Sequence, residues 1–498
     1  MRGTVNRMQG PVAGNALSTT ERRHLLRRLA FTATPDLDRA IQGMSADEAL
    51  SVLVRAARDA PYPQAPEAAS GIWRNPALRF DGLSDEDFEA IADRQAERAR
   101  AATGEVRRWW LAELLTSPAP LRENLVLFLH GVFGSNTGSV DAPHALHGRN
   151  ALLRRQCLGT VPDLLASLVV DPAMMIQVGM DGHRRLRVSD RPAKLILDHW
   201  TVGADAYEPR DIEELSRALT GWLLVAPEGR EPTRPLDPRA SRAARRTGLV
   251  PIFRPDEFDA GPKTILGRTH PFDARSAVRW LASHEATARR FGRLLMTHLG
   301  VEDGGAALET RLLSAYRTTG GSLEAMLREI VRSDAFWSES SRWALIKSPV
   351  HLAAGACRQL GIASPPVAAM DSWLRASGQA LLDTPNNGEG GWPGQEAWVT
   401  PAARLTVRYY LAAALADRLP PLGLERPGPS TGEAAVAFTV PIETPLRDAS
   451  AAALLERLDP APGLDAGAIE TEVAGVNSPE GRSAFIRRVM MSPQYQLA

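Results

Sequence analysis

An all-α fold, with a bundle-like helical body and very little strand, is the fold class that this 498-residue sequence predicts. Two observations support the prediction. Capping side chains are repeatedly followed by an acidic residue in the first turn or by a proline at the first helical position, and both signals begin helices. Apolar residues then recur at helical spacing, whereas the alternation of apolar and polar residues that marks a strand is scarce.

The predicted helices can be followed in chain order. Each start has a serine or threonine whose side chain accepts a hydrogen bond from the first turn. One later helix shows a clear apolar stripe for packing on other helices, formed by Leu323, Met326, Leu327, Ile330 and Val331. The best strand candidate is the short segment 435–440. The predicted starts are Ser18-Thr-Thr-Glu21, Thr34-Pro35, Ser45-Ala-Asp-Glu48, Ser348-Pro349 and Thr400-Pro401.

The domain organisation follows from breaks in this pattern. A main helical domain is predicted over residues 1–420, a linker over 421–442 and a small helical C-terminal appendage over 443–498. Within the main domain, residues 226–250 are rich in proline and arginine, which predicts a long solvated loop. Arginines at 239–246 would suit a nucleic-acid binder, but a solvated loop carrying charge is far commoner. No nucleic-acid partner is predicted.

Composition narrows the class of protein. The chain is 44% hydrophobic and 23% charged, which is typical of a soluble globular protein. Basic and acidic residues balance at 58 each, so no global charge favours an anionic partner. The two cysteines, Cys157 and Cys357, lack metal-binding spacing and are predicted to be buried thiols. No signal peptide and no membrane span are predicted, so the sequence as written predicts a cytoplasmic protein.

Several sequence blocks together identify a family. The most informative are Asp211-Ile-Glu-Glu-Leu-Ser-Arg-Ala-Leu-Thr-Gly-Trp222 and Gly261-Pro-Lys-Thr-Ile-Leu-Gly267. With Asp171-Pro-Ala-Met-Met175 and Pro385-Asn-Asn-Gly-Glu-Gly-Gly-Trp-Pro393, they make the chain resemble a large bacterial family catalogued as domain of unknown function 1800, as a divergent member. The resemblance implies no settled activity. It does imply a sulfatase-like protein encoded nearby as partner, and export as the alternative localisation.

The chain departs from this family mainly at polar positions. Where the family usually has Trp-His-Asn-His-Phe, this chain has Leu129-His-Gly-Val-Phe133, which keeps one histidine and replaces the other by valine. An Asp-Asn pair becomes Gly179-Met180, and His-Asp becomes Phe258-Asp259. Apolar side chains neither bind a hard cation nor move a proton. The resemblance therefore implies a degenerate site.

A candidate polar cluster remains among the surviving side chains. For the histidine at 130, packing in the core is the commoner role, and the same holds for the histidine at 199. Lysine 263 is predicted to pair with an anion or with a buried aspartate such as the one at 259. Further survivors are His183, Asp190 and Lys194, although the turn at 181–185 is predicted to be exposed. The cluster consists of His130, Asp198, His199, Asp259 and Lys263.

Three functions are compatible with these observations. The leading hypothesis is a non-catalytic or degenerate-site member that works through protein association, without a predicted cofactor. The alternative is a metal-dependent hydrolase or oxidoreductase with a rearranged ligand set, which requires His130, Asp198, His199 and Asp259 to converge within about 5 Å of one divalent ion. Nucleic-acid binding is the third. Signatures of nucleotide-binding loops, zinc proteases and serine hydrolases do not occur in the sequence.

Overall fold

A computed structural model describes residues 14–70, 84–180, 183–225, 250–385, 391–392, 394–400, 446 and 449–498. Helices account for most of these residues, and the strands among them form two small two-stranded sheets. The predicted mainly helical fold is confirmed. The predicted strand at 435–440 and the predicted helix start at Thr400-Pro401 fall wholly or partly outside the described residues.

Eleven helices precede the first strand in the described part of the chain. The tenth runs directly into a π-helix, Ile196–Trp200, and a 3-10 turn follows at Ala204–Ala206. The eleven helices are α1 (Thr19–Ala30), α2 (Pro35–Ala40), α3 (Ala46–Asp59), α4 (Glu67–Ser70), α5 (Asp85–Thr116), α6 (Pro120–Val132), α7 (Pro143–Gln156), α8 (Val161–Leu168), α9 (Pro172–Val178), α10 (Asp190–Leu195) and α11 (Pro209–Ala218).

Ten more helices follow the strands, again counting the described residues. Three of them lie in the C-terminal region. They are α12 (Ala274–Ala282), α13 (Glu285–His298), α14 (Gly305–Thr318), α15 (Leu323–Val331), α16 (Asp334–Trp337), α17 (Pro349–Leu360), α18 (Val367–Ala376), α19 (Ala451–Leu458), α20 (Ala466–Glu472) and α21 (Pro479–Met490). Further 3-10 turns are Pro255–Glu257, Gln395–Trp398 and Pro493–Gln496.

Helix capping explains where the predicted helices begin. The side chains of Ser18 and Ser45 each accept a hydrogen bond from the backbone of the third helical residue. That residue is a glutamate, and its carboxylate accepts in turn from the backbone N–H of the serine. Thr34 and Ser348 cap α2 and α17, each with proline at the first position. These four predicted starts are confirmed. The apolar stripe of α15 is buried at all five predicted positions.

Two short antiparallel hairpins interrupt the helices. Strands β1 (Trp222–Val225) and β2 (Val250–Phe253) pair with Trp222 opposite Phe253. Strands β3 (Lys263–Ile265) and β4 (Arg268–His270) pair with Lys263 opposite His270. Residues 226–249, which fill most of the predicted proline- and arginine-rich loop, lie outside the described residues.

The C-terminal helices pack on the first helix of the body. Arg27 donates to Asp459 at 2.6 Å, and Arg23 donates to Glu456 at 2.6 Å. Further along, the backbone of Leu345 exchanges two hydrogen bonds with that of Ala498. The apolar core is continuous from α1 to α21. Side chains of the predicted appendage therefore share a core with the body.

One fully buried ion pair joins α6 to α7. The Glu123 carboxylate accepts from Nε of Arg154 at 3.0 Å and from Nη2 at 2.6 Å, and both side chains are enclosed by the core. Arg154 also donates to Asn150 at 2.6 Å. Both cysteines are buried free thiols, as predicted. Burial raises the pKa of each thiol to about 12, so both stay protonated at neutral pH.

Candidate functional site

His130 lies on α6 between two tryptophan rings. Its ring centroid is 4.7 Å from that of Trp110 and 5.3 Å from that of Trp392, and the side chain is 1% exposed. Burial, together with the charge of Arg149, lowers the pKa of His130 to about 3. The histidine is therefore neutral at physiological pH, and no described atom hydrogen-bonds its Nε2. This environment suits a packing residue.

Close backbone approach positions Trp392 against this histidine. Gly391, just before it, has φ +70°, and a Cβ there would lie 2.1 Å from the carbonyl oxygen of Gly131. A side chain at 391 is therefore excluded, because real Cβ atoms do not approach backbone that closely. Gly391 thus allows the Trp392 ring to lie against His130 of α6.

Asp198 and His199 lie in the π-helix that continues α10. Asp198 accepts a hydrogen bond from the hydroxyl of Tyr207 at 2.6 Å, which raises the pKa of Tyr207 to about 12. The neighbouring Trp200 is buried and stands edge-on to Phe133. His199 is half-buried. Both Asp198 and His199 belong to this π-helical turn, and such turns are frequent at functional sites.

Asp259 and Lys263 are brought together, but through the backbone. The Lys263 ammonium donates to the carbonyl oxygen of Asp259 and lies 4.4 Å from the centroid of the Phe258 ring. The Asp259 carboxylate instead accepts from Arg217, at 2.8 Å from Nε and 3.1 Å from Nη2. The Arg217 hydrogen bonds lower the pKa of Asp259, whereas burial lowers that of Lys263.

Hydrogen bonds from the block at residues 211–222, which begins in α11, connect that helix to the β3–β4 hairpin. Its polar residues recur every third position, so they share one face of the helix and its C-terminal extension. Asp211 accepts from the backbone N–H of Leu266 at 2.7 Å, and Glu214 accepts from that of Thr264 at 2.9 Å. Thr220 accepts from the backbone N–H of Asp259 at 2.9 Å. The block is thus occupied by structural bonds.

Replacing Asp211 by alanine should destabilise the protein by about 2–3 kcal/mol. The substitution leaves two backbone N–H groups without an acceptor, those of Leu266 and Glu208, the latter now 2.9 Å from the carboxylate. Glu213→Ala, on the exposed side of the same helix, is the matched control and should change the free energy of unfolding by less than about 0.5 kcal/mol. Urea unfolding of both variants measures the two changes in the free energy of unfolding. Equal losses in stability would contradict a structural role for the Asp211 hydrogen bonds.

The other surviving polar residues are distributed between core and surface. His183 is fully buried and donates from Nε2 to the carbonyl oxygen of Ser216 at 2.8 Å. The prediction of an exposed turn is therefore wrong for His183, because its ring is buried against α11, where it bonds to Ser216. Asp190 lies 3.4 Å from the Ser216 hydroxyl, and Lys194 is exposed.

The predicted polar cluster does not assemble into a metal centre within the described residues. All four of its candidate ligands, the two histidines and two aspartates, are described, yet the described part of the chain contains no group of three or more His, Cys, Asp or Glu side chains arranged to hold an ion. A tetrahedral metal site needs at least three such ligands at about 2.0–2.2 Å. Asp198 and Asp259 are bonded to different partners, and His130 faces tryptophans.

Sequence reasoning did not single out three residues at these places. Tyr207 and Arg217 complete the two aspartate sites. Arg149, buried beside His130, donates to Gln177 and to the backbone of Gly134. Packing between distant parts of the chain brings Arg149 and Arg217 to their partners, whereas Tyr207 follows Asp198 closely in the sequence. Of the three, only Arg217 has a signal that helical periodicity could have found, because it lies three residues after Glu214 on the same helix.

Exposed apolar side chains gather beside the β1–β2 hairpin. Leu186 is 90% exposed, and Val188, Val250 and Phe253 are also exposed. A tight turn holds Leu186 outward, because the backbones of Arg184 and Arg187 exchange hydrogen bonds. Arg185 donates its backbone N–H to Glu257, close to Phe253 in the chain. We call Leu186, Val188, Val250 and Phe253 the hairpin face.

Comparison with known proteins gives a family and no closer relative. The model of a family described as a protein of unknown function (DUF1800) matches residues 24–497. No curated protein and no solved structure matches the chain. Among the described helices, none is by itself long and apolar enough to cross a membrane, although the pair Val161–Leu168 and Pro172–Val178, bent by 71°, meets the length and composition criteria together.

Proposed function

Because the chain belongs to the DUF1800 family of proteins of unknown function, we propose that it is a non-catalytic, degenerate-site member that works through association with another protein. One observation carries the proposal: four polar residues of its best-marked family block, Asp211, Glu214, Arg217 and Thr220, bond to the protein's own backbone or to Asp259. Groups held in this way are not available to a substrate. The apolar residues at positions 131–132 and 179–180 add to this, since they replace polar family residues.

The hairpin face supplies the surface for such an association. Leu186 is held outward at the tip of an ordered turn, so a partner that covers it removes apolar area from water without ordering a loose loop. Isolated exposed apolar side chains are common, but a group of them rimmed by polar residues suits a protein interface. The partner that the family resemblance implies is the sulfatase-like protein encoded nearby.

Binding between the purified full-length chain and that sulfatase-like protein tests the proposal. Leu186→Asp should weaken the complex at least tenfold in sedimentation velocity, because it buries a charge in an apolar contact. Tyr62→Asp, at another exposed hydrophobic side chain, is the control and should leave binding unchanged. Absence of a complex, or equal weakening by both variants, would refute association through this face.

The alternative is a metal-dependent hydrolase or oxidoreductase with a rearranged ligand set. The observation that favours it is the π-helix carrying Asp198 and His199, since such turns recur at functional sites. Elemental analysis of the purified, untagged protein decides between the two. We expect no stoichiometric metal in the folded protein, and one tightly held ion per chain would instead support the enzyme.

A further inference from the structure

A cleft of about 250 Å³ opens between the β3–β4 hairpin and α12. We call it the cationic cleft. Two arginines and a histidine, Arg268, Arg279 and His270, supply its polar lining together with the hydroxyls of Ser276 and Ser283. Trp280 forms an aromatic wall. None of the residues that line the cleft is acidic.

Two contacts fix the geometry of this wall. The indole N–H of Trp280 donates to the carbonyl oxygen of Ile265 at 2.9 Å, which holds the ring against the hairpin. The Arg268 guanidinium then lies over the ring, with its carbon 4.8 Å from the ring centroid. A guanidinium stacked in this way keeps its N–H groups directed along its own plane. Arg268 is thus ordered without forming an ion pair among the described residues.

Two carboxylates adjoin the cleft, and both already have partners. Asp163 lies 3.2 Å from Arg279, but both side chains are exposed, so this pair is weak and screened. Asp273 caps α12, accepting from the backbone N–H of Ser276 at 2.7 Å. Arg275, in the first turn of α12, adds a further positive charge and lies over the Trp222 ring. Positive groups therefore outnumber negative ones around the opening.

We propose that the cationic cleft binds a small tetrahedral oxyanion, a phosphate or sulfate group. Arginine presents paired N–H donors that match two oxygens of such an anion, and charge-assisted bonds of this kind are among the strongest in proteins. The anion would displace Asp163 from Arg279 and sit between that arginine and Arg268, with His270 beside it. The cleft volume of about 250 Å³ lies below the roughly 300–1,000 Å³ of pockets that hold drug-sized ligands, so the cleft suits a smaller group.

Titration calorimetry of the full-length chain with inorganic phosphate, at constant ionic strength, tests this site. We expect one saturable site that Arg268→Met weakens at least tenfold. The matched control is Arg293→Met on α13, which removes an arginine that is 72% exposed and outside the cleft. The control should leave phosphate affinity unchanged. Both arginines are on the surface, so both variants should remain folded by circular dichroism.

A second titration, with phenyl phosphate, distinguishes the two sources of such a group. Binding at least as tight as that of inorganic phosphate indicates an ester as the ligand, and weaker binding indicates the free anion. Either result supports the oxyanion site provided Arg268→Met abolishes it. The proposal is overturned when neither compound binds saturably, or when Arg268→Met and Arg293→Met weaken binding equally.

Discussion

Acidification from pH 7 towards pH 4 should destabilise this protein, because several histidines are buried in their neutral form. His24, His130 and His183 are each at most 1% exposed, and burial lowers the pKa of all three. Unfolded histidine titrates near pH 6.5, so below that pH the unfolded chain binds protons that the folded chain does not. Stability is complete above about pH 6.5 and declines as the pH falls.

The size of the decline follows from His130. Its pKa of about 3 in the folded protein means that the loss accumulates from about pH 6.5 down to 3, at about 1.4 kcal/mol per pH unit, or about 5 kcal/mol in total. Asp171 opposes it: burial raises its pKa to about 6, which contributes about 3 kcal/mol in favour of folding at low pH. His24 and His183 add to the loss. For His130 and Asp171 together, the net loss down to about pH 3 is about 2 kcal/mol, a sizeable fraction of the stability of a typical domain.

Urea unfolding between pH 7 and pH 4.5 measures this dependence. His130→Phe keeps a flat ring between the two tryptophans and removes the titrating group, so the slope should decrease by about 1.4 kcal/mol per pH unit. Ser314→Ala, at an exposed residue without a titrating group, is the control and should leave the slope unchanged. A slope that His130→Phe does not alter would show that His130 titrates normally in the folded protein.

Removing the buried carboxylate of Glu123 should cost about 3–5 kcal/mol. Glu123→Leu leaves the Arg154 guanidinium, now 2.6 Å from the carboxylate and shielded from water, without a counter-charge, and an uncompensated buried charge is strongly destabilising. Nearby Arg122, whose Nε is 3.7 Å from the same carboxylate, increases the penalty. Urea unfolding at pH 7 gives the free-energy difference directly.

The double variant Glu123→Leu/Arg154→Met separates this effect from a packing defect. It removes both charges while keeping apolar volume, and such replacements are often neutral or stabilising. We expect it to recover most of the stability lost in the single variant, apart from the bond between Arg154 and Asn150. A double variant as unstable as Glu123→Leu would mean that shape, and not charge, makes this position sensitive.

Helix starts were predictable because their signals are local. Ser18 and Ser45 bond to residues three positions ahead, so a short stretch of sequence contains the whole interaction. The β1–β2 pairing was not predictable, since the register of Trp222 against Phe253 is set by packing and not by an alternating pattern. The π-helix at 196–200 was missed for a similar reason, because its one-residue shift leaves no distinct apolar period.

The candidate residues show the same division. The contact between His130 and Trp392 was not predictable, because it joins positions far apart in the chain. For Asp259, the sequence suggested a pair with Lys263. In the structure the Asp259 carboxylate accepts from Arg217 of α11, and Lys263 donates to the backbone carbonyl oxygen of Asp259. An arginine forms two parallel hydrogen bonds to a carboxylate and a lysine does not, so the carboxylate binds the nearby guanidinium in preference to the ammonium.

The bond between Arg27 on α1 and Asp459 beyond α19 has a consequence for synthesis of the chain. During translation the first helix emerges about 432 residues before its carboxylate partner, which corresponds to roughly 20–90 s at ribosomal elongation rates. Throughout that interval Arg27, whose side chain is buried in the finished protein, lacks its carboxylate partner, although α1 can already pack on α6. The Arg27–Asp459 pair can therefore form only after the C-terminal segment has been synthesised.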